Sequence, residues 1–249
     1  MKFLVIKHTR SEGFGIYEQF CLDAGIDVDY VELAKGDRFP DPQRYDGLWV
    51  MGGPMNVEDV DHCPWIADEL AFIQRAVQQG LPYLGTCLGA QMLAAAMGGQ
   101  VGFMAKPEVG LLPITLNPAG QQHPLLRGLD VQPNVFQWHG QGVQHLPPGA
   151  TVLASSPQCP VQIYAVGDRA FGLQFHSEVT PAVMDRWVSI PDYRQELERS
   201  LGVAGREAFH QAVYDQAAAT ARDAHILFEN FVAIAQSSKI SVKEVGIEW

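Results

Sequence analysis

Cys87 lies between two glycines in the segment Gly85-Thr86-Cys87-Leu88-Gly89-Ala90-Gln91. A thiolate attacks carbonyl carbon readily, and this setting suits such a nucleophile. The apolar run Leu81-Pro82-Tyr83-Leu84 before it reads as a short buried strand. Met92 to Met97 after it reads as a helix, ended by Gly98-Gly99. Strand, glycine-flanked nucleophile and helix together form the cysteine version of the G-x-S-x-G nucleophile elbow. The glycines permit a sharp, strained turn. The helix N-terminus aimed at the sulfur favours the thiolate. The plain alternative is a small buried hydrophobe, so the rest of the chain must supply partners.

A thiol nucleophile needs a base, and the base needs an orienting group. Gly172-Leu173-Gln174-Phe175-His176-Ser177-Glu178 offers both after an apolar run. Residues two apart on extended chain face the same side. Glu178 can therefore fix one tautomer of His176, which takes the Cys87 proton and later gives it to a leaving amine. Taken alone, this pair also fits a surface histidine beside a carboxylate. A tetrahedral intermediate further needs backbone N–H groups aimed at its oxyanion. The N–H of Leu88, next after the nucleophile, is one candidate. The N–H of Gly53 is the other, because Gly52-Gly53-Pro54 ends a buried strand where ligands collect in open α/β sheets. The plain reading of those glycines is a turn.

These groups need a frame. Phe3 to Ile6 and Leu48 to Met51 are continuous apolar runs, as in parallel strands buried on both faces. Asp27 to Leu33 alternates in the strand manner. Gly13 to Ala24, closed by Gly25, and Ile66 to Val77, followed by Gly80, have helical spacing. The expected fold class is α/β, an open, doubly wound, mainly parallel sheet with flanking helices. After Gly99 the expected strands are short: Leu112 to Leu116, Val152 to Ser155, Gln162 to Val166 and Ala170 to Phe175. Gly167-Asp168 suits a hairpin between the last two. From Pro181 the chain turns helical and charged, through Arg194–Ser200 and Phe209–Ala235. Phe228, Phe231 and Ile234 share a core-facing stripe, and Arg194, Glu196, Glu198 and Arg199 read as a solvated face. No repeat or linker interrupts the chain. The expectation is one domain, residues 1–249, with residues 181–249 as a helical C-terminal extension.

Composition narrows the function. The chain has 249 residues, enough to bury a large core, and a net charge of −11. That charge argues against nucleic acid and anionic membrane surfaces as partners. Cys21, Cys63, Cys87 and Cys159 lie far apart, as in a reducing compartment rather than a disulfide framework or zinc ribbon. The N-terminal apolar run is too short for a signal peptide, and no run nears the ~20 apolar residues of a membrane span. A soluble cytoplasmic protein is expected. His8, His62, His123, His145, His210 and His225 show no metal-binding spacing, so no metal is expected. Gly13-Phe14-Gly15-Ile16-Tyr17-Glu18 lacks the third glycine of a dinucleotide fingerprint and places a carboxylate where pyrophosphate would dock.

Met51-Gly52-Gly53-Pro54-Met55-Asn56-Val57, the Cys87 segment and Gln174-Phe175-His176-Ser177-Glu178 occur in order over most of the span from Phe3 to about Thr180. Together they resemble the class I glutamine amidotransferases, the Cys-His-Glu family, and among them the glutaminase domain of GMP synthases. The resemblance implies a flavodoxin-like sheet, Cys87 as nucleophile, His176 as base and acid, and Glu178 as its orienter. It also implies Gly53 and Leu88 as the oxyanion hole and Gln91 as a contact for the substrate glutamine. The implied reaction is amide hydrolysis through a γ-glutamyl thioester, without a cofactor. Two positions depart from the family pattern. His176-Ser177-Glu178 stands where His-Pro-Glu is common, at a middle residue with no direct role. In Trp138-His139-Gly140-Gln141, Gln141 stands where stand-alone relatives often carry an aspartate that can meet the substrate's α-amino group. His139 either lines the pocket or is structural. The ATP-pyrophosphatase signature of GMP synthases is absent. Three functions follow from the resemblance: a glutaminase that passes ammonia to a separate synthetase or acceptor protein, a γ-glutamyl hydrolase or peptidase that needs no partner, and a non-catalytic regulatory protein on the same fold.

Overall fold

Short apolar runs separated by amphipathic helical stretches build the first half of the molecule. The computed structural model describes residues 1–243. It contains β1 (Lys2–Lys7), α1 (Ile16–Asp23), β2 (Asp27–Glu32), β3 (Gly47–Val50), α2 (Trp65–Gln78), β4 (Tyr83–Thr86) and α3 (Leu88–Ala96). The second half adds β5 (Gln100–Pro113), β6 (Thr115–Leu116), α4 (Pro118–Gln122), β7 (Asn134–His145), β8 (Ala150–Ser155), β9 (Ile163–Val166) and β10 (Ala170–Leu173). The helices α5 (Pro181–Ser189), α6 (Pro191–Asp215) and α7 (Ala217–Lys243) follow.

The main sheet has the order β2-β1-β3-β4-β10-β9-β8-β6. From β2 to β10 neighbouring strands are parallel, and β9, β8 and β6 close the far edge antiparallel. This is the open, mainly parallel α/β sheet that the sequence pattern implied. β1 shows why its strands are apolar throughout. Phe3 and Val5 join the core beneath α1 and α7, while Leu4 and Ile6 join the core beneath α2 and α3. Side chains alternate faces along a strand, so a strand covered on both sides needs apolar residues at every position. In α7, Phe228 and Phe231 lie buried on the first of these cores, with Ile234 partly buried beside them.

Two expectations change. The short strand over Leu112–Leu116 is replaced by β5, 14 residues long, followed by the separate two-residue β6. β5 pairs antiparallel with the 12-residue β7 as a ribbon apart from the main sheet. Its register shifts between Phe103 and Glu108, and most of its residues are at least partly exposed. A ribbon that buries little and is interrupted by Gly102, Pro107 and Gly110 leaves no clean alternation to read. The helix expected from Gly13 begins only at Ile16, because Gly15, at a φ of 61°, passes close to the loop that carries Glu178. The turn at Gly167-Asp168 joins antiparallel β9 and β10 as expected.

The C-terminal helices form a third cluster. Met184 and Trp187 of α5 and Leu197, Phe209 and Val213 of α6 pack on Phe136 of β7. α6 is broken at Gly202, whose φ of 72° interrupts the helix. Among the described residues, no helix is long and apolar enough to cross a membrane. Cys21, Cys63, Cys87 and Cys159 are all free.

Candidate active site

β4 ends in the elbow. Cys87 has φ 50° and ψ −105°, the one positive φ at a non-glycine among the described residues. Holding a side chain there costs about 1–3 kcal/mol, which the surroundings must offset. They do so by close packing. A Cβ on Gly85 would run into the backbone of Gly89, and a Cβ on Gly89 into the carbonyl of Val50. The two glycines thus let α3 start against the ends of β3 and β4. The Cys87 N–H donates to the Leu173 carbonyl at 2.8 Å, and the Gly89 N–H to Met51 at 3.2 Å. The N–H groups of Leu88 and Gly53 have no protein acceptor among the described residues.

His176 lies just beyond β10, the strand beside β4, and its N–H donates to the Phe136 carbonyl at 2.9 Å. Its Nδ1 is 2.7 Å from Oε1 of Glu178, both side chains being buried. A carboxylate only accepts, so Nδ1 carries the proton and Nε2 is left for the Cys87 thiol within hydrogen-bond reach. Burial opposes a charge on His176, but Glu178 and Cys87 outweigh it and hold its pKa well above the ordinary histidine range. Glu178 is itself placed by α1. The Ile16 N–H donates to its carbonyl at 3.1 Å, and a Cβ on Gly15 would collide with that carbonyl. Gly15, the second glycine of the near-dinucleotide motif, therefore serves close approach to this loop.

These residues open onto a cleft of about 240 Å³. Of the residues expected at the site, Cys87, His176, Gly53, Gln91 and His139 line it, together with Gln141. Glu178 stands behind His176. Gln91 is buried, and its Nε2 donates to the Gln141 carbonyl at 3.1 Å and to Gln174 Oε1 at 3.2 Å. Gln174 in turn points its Nε2 at Cys87 Sγ, 3.8 Å away. His139 is both lining and structural. Its Nδ1 donates to the Gln141 carbonyl at 2.8 Å, and its Nε2 lies 3.2 Å from Glu108.

Other residues at the cleft were not anticipated. Glu12 is buried in the loop after β1 and accepts from the Tyr193 hydroxyl at 2.8 Å. Burial pushes its carboxyl above the ordinary range, and Glu178 adds to the shift. Glu196 is exposed, as a solvated face requires, yet it also lines the cleft and accepts from Trp138 Nε1 at 3.2 Å. Among the described residues no lysine or arginine lines the cleft. Gln174 could have been found from its spacing, two residues before His176 on the same strand end. Glu12 sits where a parallel strand ends, the usual place for ligand contacts. Nothing local marks Tyr193 or Glu196.

A buried thiol, a braced imidazole and the unpartnered N–H groups of Leu88 and Gly53 are the parts needed for acyl transfer. The model of the family described as glutamine amidotransferase class-I matches residues 20–189. The chain is 33% identical over 184 residues to the glutamine amidotransferase-like protein YfeJ of Salmonella typhimurium, covering 72% of this chain and 77% of that one. It is also 33% identical over 186 residues to the glutamine-hydrolysing GMP synthase of Aeropyrum pernix, covering 73% of this chain but 33% of the synthase. The crystal structure of a glutamine amidotransferase from Thermotoga maritima superposes with a TM-score of 0.84 at 27% identity, over 93% of this chain and 98% of that one. By sequence and by fold alike, the chain belongs to the class I glutamine amidotransferases and is related to the glutaminase domains of GMP synthases.

Proposed function

We propose that this protein hydrolyses the side-chain amide of glutamine through a γ-glutamyl thioester on Cys87 and passes the ammonia to a separate synthetase or acceptor protein. The observation that carries the reading is the strained Cys87 facing a His176 that is braced at 2.7 Å by Glu178. His176 takes the thiol proton, and Sγ attacks the amide carbon. The oxyanion that forms is held by the N–H groups of Gly53 and Leu88. As the intermediate collapses, the C–N bond breaks and His176 gives its proton to the departing nitrogen, which leaves as ammonia. Water then attacks the thioester, losing a proton to His176. The C–S bond breaks, glutamate leaves, and the proton returns to sulfur.

Glutamine brings an α-amino group and an α-carboxylate. Gln141 cannot supply the negative charge that an aspartate would at its position, and Glu196, which lines the same cleft, supplies it instead. Gln91 has its Nε2 committed to protein acceptors and offers the substrate its Oε1. No lysine or arginine lines the cleft among the described residues, so the α-carboxylate is held by backbone N–H groups. The four free thiols suit the reducing cytoplasm.

The test is release of ammonia and glutamate from L-glutamine by the purified protein beside Cys87→Ala. Turnover that vanishes in Cys87→Ala supports the reading, and turnover that survives overturns it. Cysteine-dependent cleavage of a γ-glutamyl anilide without cleavage of glutamine would identify a γ-glutamyl hydrolase instead. No cysteine-dependent cleavage of either would favour the non-catalytic role.

A further inference from the structure

Behind the cleft lies a buried charged pair that the chemistry above does not use. His8 follows β1 and Glu69 lies on α2, and both side chains are fully buried, at 0% exposure. Taking two charges out of water is costly, so a pair at this depth calls for a reason. Nε2 of His8 is 3.0 and 3.2 Å from the two oxygens of Glu69, and Nδ1 is 2.8 Å from the Gly52 carbonyl. The ring stacks on Trp65 with centroids 5.5 Å apart. A carbonyl and a carboxylate both only accept, so both ring nitrogens carry protons and His8 is an imidazolium. Burial pulls its pKa down, but Glu69, the Gly52 carbonyl and nearby Glu12 outweigh burial and raise it.

The Gly52 carbonyl and the Gly53 N–H belong to one peptide unit. In a trans peptide these two groups point in opposite directions, and the described residues contain no cis bond. The carbonyl points at His8, so the N–H points away from it, and Gly53 lines the cleft with Cys87. Both residues flanking the unit are glycines, which resist reorientation of a peptide plane least. An oxyanion donor works by being held in place before charge develops.

We propose that His8, backed by Glu69, is a positioning residue that locks the Gly52–Gly53 peptide unit with its N–H toward the cleft and polarises it as an oxyanion donor. A cation on the carbonyl oxygen draws electron density through the amide and strengthens the N–H as a donor. The catalytic consequence rests on the proposed role of Gly53 in glutamine hydrolysis. The polarisation itself does not.

Two variants test this. Glu69→Gln keeps the shape and removes the charge. His8→Leu with Glu69→Met replaces the whole pair by apolar side chains, so no unpaired charge is left buried, and Tm checks that the fold survives loss of the donor to the Gly52 carbonyl. Losing an entire oxyanion donor costs about 10²–10³ in kcat, so about a tenfold fall is expected in Glu69→Gln and about a hundredfold fall in the double variant. KM for glutamine is expected to stay within about twofold, the mark of an interaction made only in the transition state. In both variants the Gly52 carbonyl carbon and Gly53 amide proton NMR signals should move upfield from wild type. A double variant with wild-type kcat, or a rise in KM alone, would overturn the proposal. So would unchanged Gly52 and Gly53 signals in both variants. If the wild type shows no Cys87-dependent turnover, the glutaminase reading fails by itself, and the two NMR signals still decide whether the pair polarises this peptide.

Discussion

Gly52→Ala adds one carbon between the catalytic candidates and Glu12. The new Cβ would lie 2.8 Å from Cε1 of His176, 2.9 Å from Oε2 of Glu12 and 3.6 Å from Cβ of Cys87. Carbon atoms rest at ~3.5–4.0 Å, so the imidazole must retreat by about 0.7 Å or more. It has little freedom to do so. Nδ1 is held 2.7 Å from Glu178, and the ring stands edge-on to Phe136 and Trp187, with centroids at 5.9 and 5.5 Å. A displacement of ~1 Å from a reactive geometry costs ~10²-fold in rate, or about 2.7 kcal/mol of barrier. Overpacking itself costs about 1–3 kcal/mol, a fall of about 2–12 °C in Tm for a chain of this size.

Two assays separate these effects. kcat/KM for glutamine is expected to fall about a hundredfold. Alkylation of Cys87 by iodoacetamide across pH reads the thiol and imidazole without a substrate, and its profile should change as His176 withdraws. Gly140→Ala is the comparison, since Gly140 lines the same cleft and an added Cβ there has nothing within 4 Å. Its alkylation profile should match wild type. If Gly52→Ala keeps the wild-type alkylation profile, turnover and Tm, then His176 does not stand where steric crowding can move it, and the geometric reasoning is wrong.

Two further expectations follow. Glu196→Gln removes the exposed carboxylate of the cleft, and an exposed ion pair contributes up to ~1 kcal/mol, so KM for glutamine should rise about fivefold with kcat unchanged. An unchanged KM would show that the amine is held elsewhere. His8 has a raised pKa in the folded state, so its stabilisation is complete below the unfolded histidine value of ~6.5 and is lost as pH rises through the folded value. Tm should therefore fall as pH rises from near neutral into the alkaline range, and Glu69→Gln should flatten that slope. Parallel slopes would mean that the pair does not titrate with folding.

Much of the fold and site was legible because it rests on local pattern. Cys87 is flanked by Gly85 and Gly89, and the structure gives each glycine a backbone neighbour that admits no Cβ. His176 and Glu178 are two apart on extended chain, and they meet at 2.7 Å. β1 is apolar at every buried position because it has two covered faces. What stayed illegible depends on distant contact. β5 and β7 find each other across an intervening helix and strand, and their exposed, glycine-interrupted ladder carries no alternation. Glu196 lies in a charged run that reads as solvated and is solvated, and only the docking of α6 turns it toward the cleft. His8 looks like one of several scattered histidines until α2 brings Glu69 to it.

The division between legible and illegible residues follows a division of labour. The elbow, His176 and Glu178 all fall within residues 20–189, where the family model matches. Glu12, His8, Tyr193 and Glu196 fall outside that stretch, and they complete the wall and backing of this cleft. Glu12 and Tyr193 are tied together across the chain. The Tyr193 hydroxyl bonds Glu12 at 2.8 Å and lies 3.1 Å from the Ser11 hydroxyl, while Trp187 Nε1 donates to the Ser11 carbonyl at 3.1 Å. Trp187 also covers the His176 ring from the side. The loop after β1 and the helices α5 and α6 therefore set one another, at separations of 176 to 182 residues. On the proposed function, choice of substrate depends on whether the C-terminal helices seat on that loop, because the same helices carry the cleft carboxylate Glu196.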